Sequence, residues 1–435
     1  MDLREALAYL DEHVNLEKVV AAARTSAPTL DRIRGLCDLL GEPQRSFPSV
    51  HVTGTNGKGS TARMATALLA AHGITVGTFT SPNLERVNER IARNGEPIDD
   101  GELARAIAAV AAVEPLAGVR PNYFDILTAA GLWWFADVAV DLAVVEVGML
   151  GRFDSTNVVD GDVAVVTNVG LDHTQYAGPT RAHVAAEKAG IVKPGSTLVL
   201  GEEDPDLVRI FEDEGPERLW LRGRDFACTG NHMAHGGRLL DIHTPYGTYD
   251  GVHLPLHGAH QGENAAVAVA AVEAFFDRSL DQDVVQEAFA AVRVPGRFEV
   301  VGRRPLVILD GAHNPDAAEA AMATLDEEFE AVGSRVFVLG VLRGHDLAGT
   351  LAAFELDRCR LVVTCAADWP KAVPAEDVAK VAADLGAQVE VVPAVADAVE
   401  AAISSALDDD VVLVTGSLYV VGEARAALRA RGSLA

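Results

Sequence analysis

Residues 49–60, SVHVTGTNGKGS, constrain the fold of this chain more than any other stretch. They join a short apolar run to a glycine-rich turn, and the helical pattern STARMATALLAAHG follows and ends at Gly73. The next apolar run, ITVGTFT, completes a strand–turn–helix–strand unit, which predicts two parallel strands in one sheet. Two later runs, AVVEVG at 143–148 and VAVVTNVG at 163–170, have the nearly continuous apolar character of strands that are covered on both faces.

A second alternation of strands and helices begins after residue 300. The apolar runs PLVILD, RVFVLG, RLVVTC, QVEVVP and VVLVTG alternate with helical patterns at 315–330, 346–355, 375–385 and 395–407. Residues 196–260 lack helical periodicity and predict a small, largely antiparallel sheet. We therefore expect an α/β chain with two domains. Residues 1–297 form a P-loop-containing parallel-sheet ATPase domain with the small sheet, and residues 298–435 form a doubly wound, Rossmann-like domain, with the boundary near Arg297.

Composition argues against several classes of function. The 435 residues hold 36 Lys+Arg and 63 Asp+Glu, a net charge of −27, which disfavours general binding to nucleic acid or to an anionic membrane. The 4 cysteines show no CxxC spacing, so they indicate neither a zinc site nor a redox motif. Free thiols suit a reducing compartment, and the charged, helical N-terminus does not resemble a signal peptide. We expect a cytoplasmic protein.

The glycine-rich turn is a candidate polyphosphate site. Consecutive backbone N–H groups and a helix N-terminus form an anion cradle there, and Lys58 would reach the β- and γ-phosphates. The motif departs from the standard Walker A, because Gly54 and Gly57 are separated by two residues and Gly59 stands where that motif has Ser or Thr. A glycine-rich turn without phosphate is the alternative. The candidate phosphate-binding residues are Gly54, Thr55, Asn56, Gly57, Lys58, Gly59 and Ser60.

Four further groups follow the predicted strands or lie on a helix. Glu146 and the Asp172-His173 pair come at strand ends, where parallel sheets bind ligands and where a carboxylate oxygen suits Mg²⁺. Lys188 lies on a helix before a glycine. Asp310 and His313 follow the first strand of the second domain. The alternatives are structural ones: an ion-paired glutamate, a solvated lysine, and a turn in which Asn314-Pro315 merely begins a helix.

Together these segments resemble the dihydrofolate synthase/folylpolyglutamate synthase branch of the Mur-type ATP-dependent amide ligases. Ten collinear segments carry the resemblance: TGTNGKGS, TSPNLERVNERI, NYFDILTAA, EVGMLGRFDSTN, TNVGLDHTQYAG, AAEKAGIVKPG, GENAA, PGRFEV, DGAHNPDAA and TGSLYVVG. They span residues 53–422. The resemblance implies that ATP phosphorylates a pterin-linked carboxylate and that the amino group of L-glutamate attacks the acyl phosphate. It also implies ATP as co-substrate, two Mg²⁺ ions, K⁺ as a candidate further ion, and a monomer.

The resemblance also implies residue roles. The catalytic set is Lys58, Lys188, Asp310 and His313, and the nucleotide set adds Asn264 and Arg297 to the glycine-rich turn and Asp310. The metal ligands are Ser81, Glu146, His173 and Lys188, the last as a carbamate. The substrate-binding set is Asn83, Arg86, Phe124 and Ser417.

Three departures from the family pattern lie near the expected pterin site. The family usually has His at the position of Asn83, Gly-Gly at 150–151 and commonly Glu at the position of Asp125. They leave open whether the acceptor is dihydropteroate, a folate, or both. The alternatives are a Mur-type ligase for another carboxylate and, from a different class, an ATP-binding regulator without catalysis. The regulator predicts loss of Lys58, Glu146, His173 or Lys188, and all four are present. Assigning the chain as a GTPase or a kinase would leave the second doubly wound domain unexplained.

Overall fold

The computed structural model describes residues 1–19, 29–329 and 333–432. The helices are α1 Leu3–Asp11, α2 Asp31–Leu39, α3 Lys58–Ala71, α4 Asp100–Val113, α5 Tyr123–Asp137, α6 Thr174–Ala177, α7 Arg181–Ala189, α8 Pro205–Glu212, α9 His260–Phe276, α10 Gln282–Ala291, α11 Pro315–Glu328, α12 Leu347–Ala353, α13 Ala375–Asp384, α14 Val395–Ser405 and α15 Leu418–Ala430. The strands are β1 Ser49–Thr53, β2 Val76–Phe79, β3 Ile91–Arg93, β4 Glu96–Pro97, β5 Leu142–Glu146, β6 Val163–Val166, β7 Thr197–Leu200, β8 Arg218–Leu221, β9 Ala227–Ala234, β10 Gly237–His243, β11 Thr248–Leu254, β12 Glu299–Arg303, β13 Leu306–Leu309, β14 Arg335–Leu339, β15 Leu361–Ala366, β16 Val389–Ala394 and β17 Val411–Thr415.

The N-terminal domain is built on an eight-stranded sheet in the order β4-β3-β2-β5-β1-β6-β7-β8. Six of these strands run parallel to one another: β2, β5, β1, β6, β7 and β8. Strands β3 and β4 extend the sheet beyond β2 in antiparallel orientation. Strand β5 shows why its sequence is apolar throughout. Leu142 and Val144 pack toward α3 and α9, whereas Ala143 and Val145 pack toward α4 and α5. Both faces are therefore covered, as the sequence predicts.

The prediction for residues 196–260 is wrong in part. Strands β7 and β8 extend the large parallel sheet, and α8 lies between them. Only β9, β10 and β11 form the antiparallel three-stranded sheet. The reason is burial: Leu198 and Leu200 pack against α7 and α8, and Val199 packs on the opposite face. Four buried residues are too short a run to distinguish a parallel from an antiparallel strand by sequence.

The C-terminal domain has a six-stranded sheet in the order β12-β13-β17-β14-β15-β16. Five of these strands run parallel to one another: β13, β17, β14, β15 and β16. Helices cover both faces of the sheet, as expected for a doubly wound fold. The sequence did not predict β12, which pairs antiparallel with β13, nor α15 after the last strand. Helix α11 ends at Glu328, and residue 330, where that helix was predicted to end, lies outside the described residues.

The two domains contact one another through charged side chains as well as through the cleft described below. Arg238 of β10 is 1% exposed and donates to Glu328 of α11 at 2.8 Å. Arg425 of α15 pairs with Glu299 and with Glu85 of the N-terminal domain. Among the described helices, none combines the length and apolar character that a membrane span needs.

Candidate active site

A cleft of about 1120 Å³ separates the two domains. It is lined by the loops that follow β1, β2, β5 and β6 on one side and β13, β14 and β17 on the other. These are the carboxyl ends of parallel strands, where open α/β sheets bind their ligands. The topology thus brings residues as far apart in the chain as Thr55 and Ser417 to one site.

The glycine-rich turn after β1 presents a helix N-terminus to the cleft. Gly57 precedes α3 with φ of 83° and has no side chain with which to cap the helix. The first N–H groups of α3 therefore point toward an incoming anion. The Lys58 Nζ donates to the Gly54 and Thr55 carbonyl oxygens at 3.0 and 3.2 Å, which holds the ammonium over the turn.

The segment after β6 fixes the conformation of this turn. The Asn56 amide donates to Asn168 Oδ1 at 2.9 Å, and the Thr55 amide donates to the Asn168 carbonyl at 3.1 Å. The Thr167 hydroxyl donates to the Asn56 carbonyl at 2.6 Å. These contacts hold the backbone of the turn in place before any ligand binds, which lowers the cost of ordering it on binding.

A buried carboxylate lies against the turn. Glu146 ends β5, is 3% exposed, and accepts a hydrogen bond from the Ser81 amide at 3.1 Å. A Cβ built on Gly59 would lie 3.5 Å from its Oε2, at van der Waals distance, so the carboxylate packs directly against the first turn of α3. Burial raises the pKa of Glu146, while the positive charge of Lys58 opposes that rise. An oxygen ligand thus lies beside the phosphate cradle.

Two nitrogen bases complete this side of the cleft. Burial lowers the pKa of His173 to about 4, although Asp172 opposes the shift, so its imidazole is neutral near pH 7. Lys188 on α7 is 3% exposed, and burial together with the charge of Lys58 lowers the pKa of its amine well below the usual value. A neutral imidazole binds metals, and a neutral amine is a nucleophile.

The turn after β13 supplies side chains rather than backbone groups. Asp310 accepts from the Phe298 and Ala312 amides, both at 2.9 Å, and burial raises its pKa against the opposing charge of Arg297. His313 Nδ1 donates to the Gly311 carbonyl at 2.8 Å. That bond places the proton on Nδ1 and leaves Nε2 with a free lone pair. Burial lowers the pKa of His313 to about 4, so it too is neutral.

Asn314 caps α11 and joins the two domains. Its Oδ1 accepts from the Ala317 amide at 2.9 Å, and Pro315 occupies the first helical position. The Asn314 Nδ2 donates to Asn56 Oδ1 at 3.0 Å, and the Asn56 Nδ2 donates to Asn314 Oδ1 at 3.3 Å. The two strand–turn–helix units therefore meet tip to tip across the cleft.

Comparison with known proteins identifies this arrangement. The sequence matches the Mur ligase middle domain over residues 121–272 and the Mur ligase glutamate ligase domain over residues 296–418. It is 39% identical to the dihydrofolate synthase/folylpolyglutamate synthase of Mycobacterium tuberculosis, over 92% of this chain and 89% of that protein. The chain belongs to the dihydrofolate synthase/folylpolyglutamate synthase family of Mur ligases.

Solved structures agree with this assignment. Escherichia coli FolC in complex with DHPP and ADP superposes with a TM-score of 0.88 at 30% identity, covering 99% of each chain. The Yersinia pestis bifunctional folylpolyglutamate synthase/dihydrofolate synthase with Mn, AMPPNP and L-glutamate superposes with a TM-score of 0.84 at 29% identity, over 99% of this chain and 98% of that one. The family and fold predicted from sequence are confirmed. The protein is a ligase that forms carbon–nitrogen bonds in an ATP-dependent reaction.

The cleft of this ligase collects most of the residues that the sequence singled out. Its lining contains Thr55, Asn56, Gly57, Lys58, Gly59, Ser60, Ser81, Phe124, Glu146, His173, Asn264, Arg297, Asp310, His313 and Ser417. Gly54 lies behind the turn, where a Cβ would come within 1.8 Å of Thr167 Oγ1. Lys188 is buried beneath the lining, close enough for its amine to interact with Lys58 and Asp172.

Two of the predicted substrate-binding residues lie outside the cleft that contains the other predicted site residues. Arg86 has a side chain 60% exposed and pairs with Asp100 at 2.5 Å, on a surface outside the cleft lining. Asn83 accepts from Arg90 Nε at 2.7 Å and also lies outside the lining. The motif around these residues is present, but its loop directs Pro82 rather than these two residues into the cleft.

Sequence reasoning missed a partly buried ion pair at one end of the cleft. The Arg90 guanidinium donates two bonds of 2.8 Å to the carboxylate of Glu17, which also accepts from the Tyr419 hydroxyl at 3.1 Å. Trp369 Nε1 donates to the Glu17 carbonyl at 3.0 Å. Arg90 lies inside a family motif, but no spacing relates it to Glu17. His345 was also missed, since it is one of 13 histidines and follows a strand without a motif.

Proposed function

We propose that this ligase adds L-glutamate to dihydropteroate, to reduced folyl-(poly)glutamates, or to both, through an acyl phosphate. The observation that carries the proposal is the juxtaposition of the phosphate turn at Lys58, the carboxylate of Glu146 and the Asp310–His313 turn across one cleft. A carboxylate is a poor electrophile, and transfer of the γ-phosphoryl group turns one of its oxygens into a leaving group. The glutamate amine then attacks the carbonyl carbon and releases phosphate.

The cations of the cleft would stabilise the charge that moves in the first step. Lys58 lies at the turn, where it is placed to neutralise the transferring phosphoryl oxygens. Arg297 lines the cleft beside Asp310 and is proposed, with Asn264, to contact the nucleotide. The backbone of residues 54–60 would hold the remaining phosphate oxygens by hydrogen bonds.

The donor set fits divalent cations. Ser81, Glu146 and His173 offer two oxygens and a neutral nitrogen in the cleft. The Yersinia pestis relative was solved with Mn and an ATP analogue, which supports a metal here. When bound, Mg²⁺ would screen the phosphate oxygens and orient them for transfer. We propose two Mg²⁺ ions, and K⁺ stays a prediction.

Lys188 is proposed to bind the second ion as a carbamate. Its burial favours the neutral amine, which is the form that attacks CO₂. The neutral amine nitrogen bonds to the carbon of CO₂ and releases one proton, so a neutral side chain becomes an anion with two oxygens. An unmodified, charged Lys188 would instead repel a metal.

The hinge between the domains is proposed to lie near Arg297. Residues 1–297 and 298–435 would then close on one another within a single chain, and we propose that the protein acts as a monomer. The chain crosses between α10 and β12 in that region. Closure would bring Asp310 and His313 onto the nucleotide and the incoming glutamate, and Ser417 onto the glutamate. Phe124, which lines the cleft beneath Gly148, is proposed to contact the pterin.

A product assay by mass tests the proposed acceptors. Dihydropteroate and tetrahydrofolate are offered separately with ATP, Mg²⁺ and L-glutamate. We expect at least one acceptor to gain the mass of one glutamyl residue, with one ADP formed per product. Equal ADP release in the absence of any pterin would rule out the folate assignment.

Lys188→Ala tests the carbamate, with Lys193→Ala as its matched control. Lys193 lies in the same motif, but its Nζ donates to Asn157 Oδ1 at 2.8 Å, a structural contact. We expect Lys188→Ala to lose activity and short-chain carboxylates to restore part of it. Lys193→Ala should show no such rescue. A Lys188→Ala enzyme that keeps its full rate would show that the carbamate has no catalytic role.

A further inference from the structure

A cluster of side chains that could ligate a metal ion lies in the cleft, next to the proposed Mg²⁺ ligand His173. Asp172 follows β6 of the N-terminal domain, whereas His313 follows β13 and His345 follows β14 of the C-terminal domain. One ligand atom from each lies within 4.8 Å of the other two. The three side chains come from three different loops and from both domains, so the cluster exists only where the domains meet.

One pair in the cluster has the spacing of two ligands on a single metal ion. His345 Nδ1 lies 3.4 Å from Asp172 Oδ1. Bonds of about 2.1 Å to a tetrahedral ion place two ligand atoms roughly 3.4 Å apart, whereas a charged hydrogen bond draws them to about 2.8 Å. The rings of His313 and His345 have their centroids 5.0 Å apart, edge to face. His313 thus lies beside this pair, with its ligand atom within 4.8 Å of the other two.

The hydrogen bonding of His313 prepares it as a ligand. Its Nδ1–H is committed to the Gly311 carbonyl at 2.8 Å, which is the outer contact that metal-bound histidines commonly make. The cluster therefore offers two imidazole nitrogens and one carboxylate oxygen.

This donor set selects a class of ion. Two imidazoles and one carboxylate suit Zn²⁺, Co²⁺ or another transition metal, whereas Mg²⁺ and Ca²⁺ prefer oxygen ligands. We propose that Asp172, His313 and His345 form a transition-metal site that fastens the two domains together and withdraws His313 from the ligase reaction. His173, a proposed Mg²⁺ ligand, lies 3.6 Å from the second oxygen of Asp172, so the two sites adjoin. The proposal does not rest on the identity of the acceptor.

Co²⁺ titration tests the site directly. The full-length protein is stripped of metal, saturated with Mg²⁺-ADP to fill the nucleotide-linked sites, and titrated with Co²⁺. Visible absorption and equilibrium dialysis follow the binding. We expect one added Co²⁺ with a tetrahedral spectrum that Zn²⁺ abolishes. His345→Ala should weaken its binding at least tenfold, and His232→Ala, on the exposed face of β9, should leave the affinity unchanged.

Inhibition provides the second readout. With Mg²⁺-ATP in excess, the Zn²⁺ concentration that halves the rate should rise at least tenfold in His345→Ala, each enzyme being compared with its own rate in the absence of Zn²⁺. Absence of the Co²⁺ spectrum in the wild-type protein, or equal Co²⁺ affinity in His345→Ala, would overturn the site. Zn²⁺ inhibition that is identical in the two enzymes would overturn its effect on the reaction.

Discussion

The two strand–turn–helix units that face each other across the cleft differ in how they treat the helix N-terminus. After β1, Gly57 leaves the first N–H groups of α3 available, and the turn exposes backbone to the cleft. After β13, Asn314 caps α11 with its own side chain, and Pro315 removes another N–H. The first unit is therefore built to hold an anion with backbone groups. The second is complete without a ligand and contributes the side chains of Asp310 and His313.

This difference has a physical reason. An oxyanion as large as a triphosphate is best bound by several fixed N–H dipoles, which need no side-chain ordering on binding. Positioning an amino acid for attack instead needs bases and donors in defined orientations, which a capped helix supports. The Asn56–Asn314 amide pair joins the two devices at their tips.

The largest expected effect is that of Lys58→Ala. If the first turn alone stabilises the transferring phosphoryl group, the loss should lower kcat by about 10³-fold or more. His313→Ala, in the second turn, should lower kcat less and should raise the KM for glutamate more than the KM for ATP. Steady-state ADP formation measures both. A Lys58→Ala enzyme within tenfold of the wild-type kcat would remove the distinction between the turns.

Gly57→Ala and Gly311→Ala compare the backbones of the two turns. An alanine at position 57 would have to adopt a left-handed backbone conformation, and its Cβ would lie 2.2 Å from Asn264 Oδ1. A Cβ at Gly311 would lie 2.5 Å from Leu418 Cδ2, the end of a flexible side chain. In Gly57→Ala the free turn should relax out of the left-handed conformation, and restoring it on binding should cost about 1–2 kcal/mol, so we expect ADP affinity to fall about tenfold. The Leu418 side chain can move aside, so we expect a loss of less than threefold in Gly311→Ala. Calorimetric titration with ADP measures both, and equal losses would contradict the comparison.

The strands that lead into the two turns also differ, because only the first contains a buried histidine. The difference should appear in the pH dependence of stability. His51 in β1 is fully buried, and burial lowers its pKa to about 3, whereas the matching strand β13 is aliphatic. Below pH 6.5 the unfolded chain binds a proton that folded His51 rejects, so stability falls as pH drops from 6.5 toward 3. Between pH 7 and 5, the free energy of unfolding of His51→Gln should therefore fall by about 1–2 kcal/mol less than that of the wild type, as measured by urea unfolding.

Two outcomes would contradict this assignment. A pH dependence unchanged in His51→Gln would show that other buried histidines carry it, and His173 and His313 have shifts in the same direction. A change of equal size in His232→Gln, where the histidine is exposed, would point to a general effect of the substitution.

Much of this architecture could be predicted from the sequence, for reasons specific to each element. The strands β1, β5 and β6 are recognisable because both faces are buried, which makes the run apolar. The phosphate turn is recognisable because its glycines are required by backbone geometry. Strand β12 is half-exposed at a sheet edge, so it has no such pattern. The sequence placed β7 and β8 in the wrong sheet because pairing partners are chosen by tertiary contacts.

The site divides in the same way. Residues that follow a strand in the same loop, such as Asp310 and His313, could be grouped by sequence. Contacts between domains could not, because nothing in the chain relates Asn56 to Asn314 or Asp172 to His345. Arg86 was predicted to bind substrate, yet its side chain turns outward to Asp100. A motif locates a loop, and the packing around that loop decides which of its side chains enter the cleft.

The smallest expected effects separate the two roles of Asn314. Asn314→Ala loses both the cap of α11 and the amide pair, Asn314→Asp keeps an acceptor for the Ala317 amide but loses the donor to Asn56, and Asn56→Ala loses only the pair. A lost cap typically costs about 1 kcal/mol. We therefore expect the free energy of unfolding in urea to be about 1 kcal/mol lower for Asn314→Ala than for the other two. All three variants lose the bond from Asn314 Nδ2 to Asn56 Oδ1, so we expect each to raise the KM for ATP by about 2–5-fold, as expected for one net hydrogen bond. If Asn314→Asp were as unstable as Asn314→Ala, the cap would not be what completes the second helix, and the contrast between the two turns would fail at its structural basis.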